Sequence, residues 1–163
     1  MSLAEFCSRL QDELYPTIYR GGAISGAAPF ALLLKHMKWL GLGRYALGVL
    51  PWEAVENKSR LLKTARKGIA KHLFTIPYFW QVGLYLVVTG PRKEWAPVAR
   101  QINADQTGLH AVIIQAVHFI DLELDASVVK RSQWGPVQFG GTLSVTNVIE
   151  DVLDDFEEDR PGE

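Results

Sequence analysis

Cysteine is almost missing from this chain. Cys7 is the only one in 163 residues, which excludes an internal disulfide framework and any zinc site built from several thiolates. Long apolar runs are missing too. The longest strongly apolar stretches are "AISGAAPFALLL" (23–34) and "VGLYLVV" (82–88), both short of the ~18–20 residues that a membrane-spanning helix needs. At the N-terminus, "MSLAEFCSRLQDELY" puts Glu5 where a secretory signal would carry bases ahead of an apolar segment. The expectation is therefore a cytoplasmic domain. Two glycine-rich stretches fail as nucleotide motifs. "GGAISGAAP" has the Gly21-x4-Gly26 spacing of a P-loop, but Ala27-Ala28 stands where Lys-Ser/Thr is needed. "GLGRYALG" begins as Gly41-x-Gly43, yet Ala46 holds the place of the third glycine of a dinucleotide fingerprint. G-x-S-x-G, H-E-x-x-H and paired C-x-x-C do not occur.

Apolar side chains are plentiful. At 48% hydrophobic residues there is enough to fill one core, and the length suits a single globular domain over 1–156 with an acidic, disordered tail over 157–163. The formal charge of −1 hides a strong asymmetry. Residues 150–163, "EDVLDDFEEDRPGE", hold eight acids and one Arg for a net −7, so the remaining chain carries +6. A basic body with an acidic end is a statement about partners, not about fold.

Periodicity places the elements. "LAEFCSRLQDEL" (3–14) spaces Leu3, Phe6, Leu10 and Leu14 as one helical face, and Pro16 ends it. "RGGAISGAAP" (20–29) reads as a flexible connection, and "PFALLLKHMKWLG" (29–41) as a helix with Pro29 in its first turn. "GLGRYALGVLP" (41–51) reads as a short strand. The longest helix is predicted over 52–74, with Trp52, Val55, Leu62, Ile69 and Leu73 on its stripe and acids ahead of bases along its axis. The run 76–90 is aromatic and β-branched and reads as a strand, 92–105 as a helix, and 109–124 as a second strand. Both strands are apolar on both faces, the pattern of a parallel β-α-β pair covered by helices. One or two short strands over 127–141 and a helix over 144–159, capped by Thr142 or Ser144, complete the chain. The class implied is α+β: a mixed sheet of three to five strands packed by about five helices.

Three groups of residues carry possible chemistry. In "GLHAVIIQAVHFIDLELD" (108–125), His118 and Asp121 form a candidate acid–base pair. Strand alternation puts them on opposite faces, and only a bulge between them could bring them together. His110 is eight residues from His118, roughly 26 Å along a strand, too far to share an ion; no metal or cofactor is expected. Second, "TGPRKEW" (89–95) joins a strand to a helix start, where free amides favour an anion. Thr89, Arg92, Lys93 and Trp95 would hold it, unless the cations merely pair with Asp121 or Glu123. Third, Arg60, Lys63, Lys67 and Lys71 form a basic stripe able to track phosphates or a protein partner. The simpler alternatives are ordinary helix electrostatics and screening by the acidic tail. Trp134 and Phe139, on the glycine-rich "WGPVQFGG", add a possible protein contact. Because the catalytic motifs fail, the leading expectation is a non-enzymatic interaction or regulatory module with a protein partner, including a second copy of itself. A binder or small enzyme for an anionic metabolite and a nucleic-acid-binding protein are the competing readings.

Overall fold

The computed structural model describes residues 1–15, 21–38, 43–77, 79–104, 110–124, 126–131 and 142–158. Five strands form one mixed sheet in the order β1-β2-β3-β4-β5: β1 Leu32–Lys38, β2 Gly43–Pro51, β3 Val82–Thr89, β4 Val112–Asp121 and β5 Ala126–Arg131. The three central strands run parallel, and β1 and β5 pair antiparallel at the two sides. Four α-helices are described, α1 Leu3–Leu14, α2 Leu61–His72, α3 Arg92–Gln101 and α4 Thr142–Glu158, with 3₁₀ turns at Trp52–Ala54 and Lys58–Arg60. The class is the α+β mixed sheet that the sequence implies, with one α-helix fewer.

Each sheet face has its own core. Ala46 and Leu50 of β2, Leu84, Leu86 and Val88 of β3, and Val117 and Phe119 of β4 pack under α2 and α3. Tyr45, Leu47, Val49, Tyr85, Val87, Ala116 and Ile120 pack under α1 and α4. The crossovers β2-α2-β3 and β3-α3-β4 step the same way across the sheet and put both helices on one face. They therefore share one hand, as parallel units require. This explains why β3 is buried along its whole length: helices cover it on both sides.

Within the run 29–41, expected as a helix, Leu32–Lys38 form strand β1 instead, and 39–41 lie outside the described residues. Phe30, Leu33 and Leu34 match helical spacing, but an uninterrupted apolar run fits a doubly buried strand equally well. In β1, Leu33 faces the α2 side while Leu32 and Leu34 face the α1 side. Its outer edge is paired rather than open. Gly21 and Ile24 donate to the Lys35 and Leu33 carbonyls, and Lys35 donates to Gly22, so the glycine-rich connection covers a strand edge that would otherwise template association. The 52–74 helix is shorter than predicted: two 3₁₀ turns precede α2, and Leu61, Ala65 and Ile69 are its buried face. The 76–90 strand begins only at Val82.

Phe30 wedges the α2 layer onto the sheet. A Cβ at Gly48 in β2 would come within 2.7 Å of the Phe30 ring, and one at Gly68 in α2 within 2.8 Å of it. Only two glycines leave room for an aromatic ring between strand and helix. Among the described residues, no helix is long and apolar enough to cross a membrane.

Candidate functional site

The turn between β3 and α3 holds an anion already, and it is the protein's own. Asp121, at the end of β4, accepts from the Arg92 backbone N–H through Oδ2 at 2.6 Å, and from Glu123 and Leu124 N–H through Oδ1 at 3.0 and 3.2 Å. Burial alone would push this carboxyl up. The three backbone donors and the nearby Arg92 charge outweigh it and hold Asp121 below its ordinary pKa. The Arg92 amide, where the turn was expected to meet an anion, thus donates to a carboxylate from the adjacent strand. Thr89 is buried at the end of β3, and Trp95 is buried with its indole N–H donating to the Gly90 carbonyl at 2.7 Å. Trp95 also lies against Phe119, with ring centroids 5.6 Å apart, so it is part of the α3-side core. Arg92 and Lys93 have exposed side chains. A cleft of about 240 Å³ opens beside them, lined by Met1, Leu3, Glu53, Thr89–Pro91 and Asp121–Glu123. The charged side chains of its lining, Glu53, Asp121 and Glu123, are acidic, and the Met1 ammonium donates to the Leu122 carbonyl at 3.2 Å.

His118 and Asp121 do not meet. The β3–β4 register slips between Leu84 and Tyr85, which pair with Ile114 and Ala116 and leave Gln115 as the extra residue. The bulge does reverse face parity, moving the α2-side positions from Val112 and Ile114 to Val117 and Phe119. It lies upstream of both candidate residues, so alternation between them is intact. His118 faces α4, 1% exposed, and its Nε2 shares a hydrogen bond of 3.1 Å with Thr146 Oγ1. Asp121 belongs to the other face, where it caps α3. His110 is half-buried at the far end of β4, and its carbonyl accepts from the Gln81 side chain at 2.9 Å. Among the described residues, no three His, Cys, Asp or Glu side chains converge on one point.

The basic stripe survives as a surface. Arg60, Lys63, Lys67 and Lys71 are all exposed, and none forms an ion pair with a described residue. Lys58, just ahead of them, is committed elsewhere: it donates to the Trp52 carbonyl and sits 4.6 Å from the Trp52 ring centroid. Between the start of α2 and the end of α3 lies a shallow groove of about 450 Å³. Lys58, Arg60 and Lys63 stand on one side, and Val98, Gln101 and Ile102 on the other.

Two features escaped the sequence. The first is an exposed aromatic turn. Ile76 and Trp80 exchange backbone hydrogen bonds at 3.1 and 3.0 Å, closing a short loop after α2. Phe79 is 79% exposed, Phe74 65% and Trp80 44%. Phe74 and Trp80 contact each other at 5.2 Å between centroids, and Arg44 Nη1 donates to the Phe74 carbonyl at 2.5 Å, tying the loop to β2. Pro77 was the available signal, because proline interrupts a strand ladder.

The second is how charge divides across the sheet. On the α1 and α4 layer, Glu5, Asp12, Glu13, Glu150, Asp151, Asp154 and Asp155 stand against Arg9 alone among the described side chains. On the other layer, Lys58, Arg60, Lys63, Arg66, Lys67, Lys71, Arg92, Lys93 and Arg100 stand against Glu94 in the 3₁₀ turn, α2 and α3. Glu53 and Glu56, beside the buried Trp52 and Val55, are the further acids on that layer. The aromatic turn follows directly on α2 along the chain. The acid-rich α4 packs on the opposite face, so the part of it described here does not screen the basic stripe. Trp134 and Phe139 lie outside the described residues.

Family models, curated proteins and solved structures yield no significant match to this chain, so its function must be read from the surface just described.

Proposed function

We propose that the protein is a non-catalytic cytoplasmic interaction module that docks an anionic partner through the α2 and α3 layer and the aromatic turn that follows α2. The observation that carries this reading is the segregation of charge: nine cations against Glu53, Glu56 and Glu94 on one helix layer, seven acids against one Arg on the other, among the described side chains. Two helix radii and a sheet thickness separate the layers by on the order of 20 Å. That exceeds the roughly 8 Å over which salt screens charge at physiological strength. A partner approaching α2 therefore meets a strongly positive surface, although the whole chain is formally −1. Such a field steers association and orients the encounter.

A small anionic metabolite at the 89–95 turn draws less support, since a buried carboxylate already takes the Arg92 amide at the start of α3 and would repel a second anion. A polyanionic resin tests the docking face. At pH 7 the protein should be retained at low salt and released by salt, and Lys63→Ala/Lys67→Ala/Lys71→Ala should flow through. Flow-through of the unmodified protein would refute the reading.

A further inference from the structure

We infer that the anionic partner is a lipid bilayer surface, with Phe74, Phe79 and Trp80 entering its interface and the end of α2 lying on its headgroups; this rests on the docking face proposed above. Phe79 is the most exposed large apolar side chain described in the molecule, and Phe74 and Trp80 are exposed on the same loop. Exposed Phe and Trp rings gathered on one short turn are disfavoured in water and suit the boundary between headgroups and acyl chains, where aromatic side chains concentrate. Lys71 lies three residues before Phe74, and Lys67 one helical turn further back, both exposed. Cations set just behind an apolar tip are the arrangement that anionic headgroups reward, since long basic side chains reach the phosphates while the rings enter the interface. The acidic α1 and α4 layer is held on the far side of the sheet, away from the like-charged bilayer.

A single-stranded nucleic acid fits less well. Such ligands stack successive bases on open aromatic platforms, whereas helices cover both faces of this sheet. Phe74 and Trp80 are also turned against each other with their planes 59° apart, which leaves Phe79 as the one ring free of a described aromatic neighbour.

Flotation of the full chain with phosphatidylcholine vesicles, with and without added phosphatidylserine, tests this at low and physiological salt. The protein should float with the anionic vesicles and stay behind with the neutral ones. Lys67→Gln and Lys71→Gln should each weaken partition roughly fivefold at low salt and less as salt rises. Phe79→Ser should weaken it at least about tenfold at either salt. Phe79 is exposed, so an unchanged circular dichroism spectrum is expected for that variant and separates lost binding from lost fold. Equal flotation of Phe79→Ser and the unmodified chain overturns the inference. So does failure to float while the polyanionic resin still retains the protein; in that case the docking face stands, and a single-stranded oligonucleotide or acidic protein is the ligand. Failure on both vesicles and resin refutes the membrane inference and the docking face together.

Discussion

Asp121 does for α3 what a capping side chain normally does from the residue next door, but it reaches Arg92 across 29 positions of sequence. A helix start needs acceptors for its free N–H groups, and a carboxylate at that end also meets the favourable pole of the helix dipole. Replacing it with Asn keeps the shape but removes the charge and part of the accepting capacity. Asp121→Asn should therefore lower stability by about 2 kcal/mol at neutral pH, measured by urea denaturation. The pH dependence has a definite sign. The folded carboxyl is held below its unfolded value, so its contribution is complete above about pH 4 and fades as pH falls through the depressed folded pKa. The difference between the two proteins should narrow in acid; a constant difference would mean that charge plays no part. Cys7 gives a second test at this scale. Burial pushes its thiol up to about 11, so alkylation at pH 8 should be slow in the folded protein and fast in urea. Rapid labelling of the native chain would contradict that placement. Residue-level chemistry was half legible in the sequence. "TGPRKEW" was recognisable as an amide-rich turn, but that Asp121 fills it depends on β4 lying beside β3, which no local spacing records.

At the level of elements, legibility followed how many conformations a pattern allows. The 3–14 helix was predicted with its observed ends because Leu3, Phe6, Leu10 and Leu14 are separated by polar residues that no strand would tolerate in that order. The parallel pair β3 and β4 was legible from apolar residues on both strand faces. The 29–41 run was misread as helix because "FALLL" is apolar at every position and satisfies both periods. What decides it is the hydrogen bonding of β1 to β2 and to residues 21–24, a long-range fact. The same packing yields a test. The Phe30 ring lies between Gly48 and Gly68, so moving away from one methyl drives it toward the other. Gly48→Ala and Gly68→Ala should each destabilise by about 1–3 kcal/mol, and Phe30→Leu should relieve part of either penalty in a double-mutant cycle. Additive losses would mean that the ring is not the obstacle.

For the whole molecule, composition revealed the charge asymmetry but assigned it to the wrong axis. Sequence order suggested a basic body with an acidic end; folding converts this into two opposed layers, because α1 returns its acids to the α4 side and α3 adds its bases to the α2 side. Strand order produces that sorting, and sequence spacing cannot show it. The aromatic turn is hidden for a related reason, since Phe79 and Trp80 read as the start of the strand that follows and Phe74 as the end of the helix before it.

Net charge and charge placement can be separated by experiment. Lys67→Gln/Lys71→Gln/Glu150→Gln/Asp154→Asn removes two cations from one layer and two carboxylates from the other, so the formal charge stays at −1. The salt concentration that elutes this variant from a polyanionic resin is the most direct measurement. Docking through the α2 layer predicts elution at clearly lower salt than the unmodified protein. Elution at the same salt would show that the segregated cations do not form the binding face.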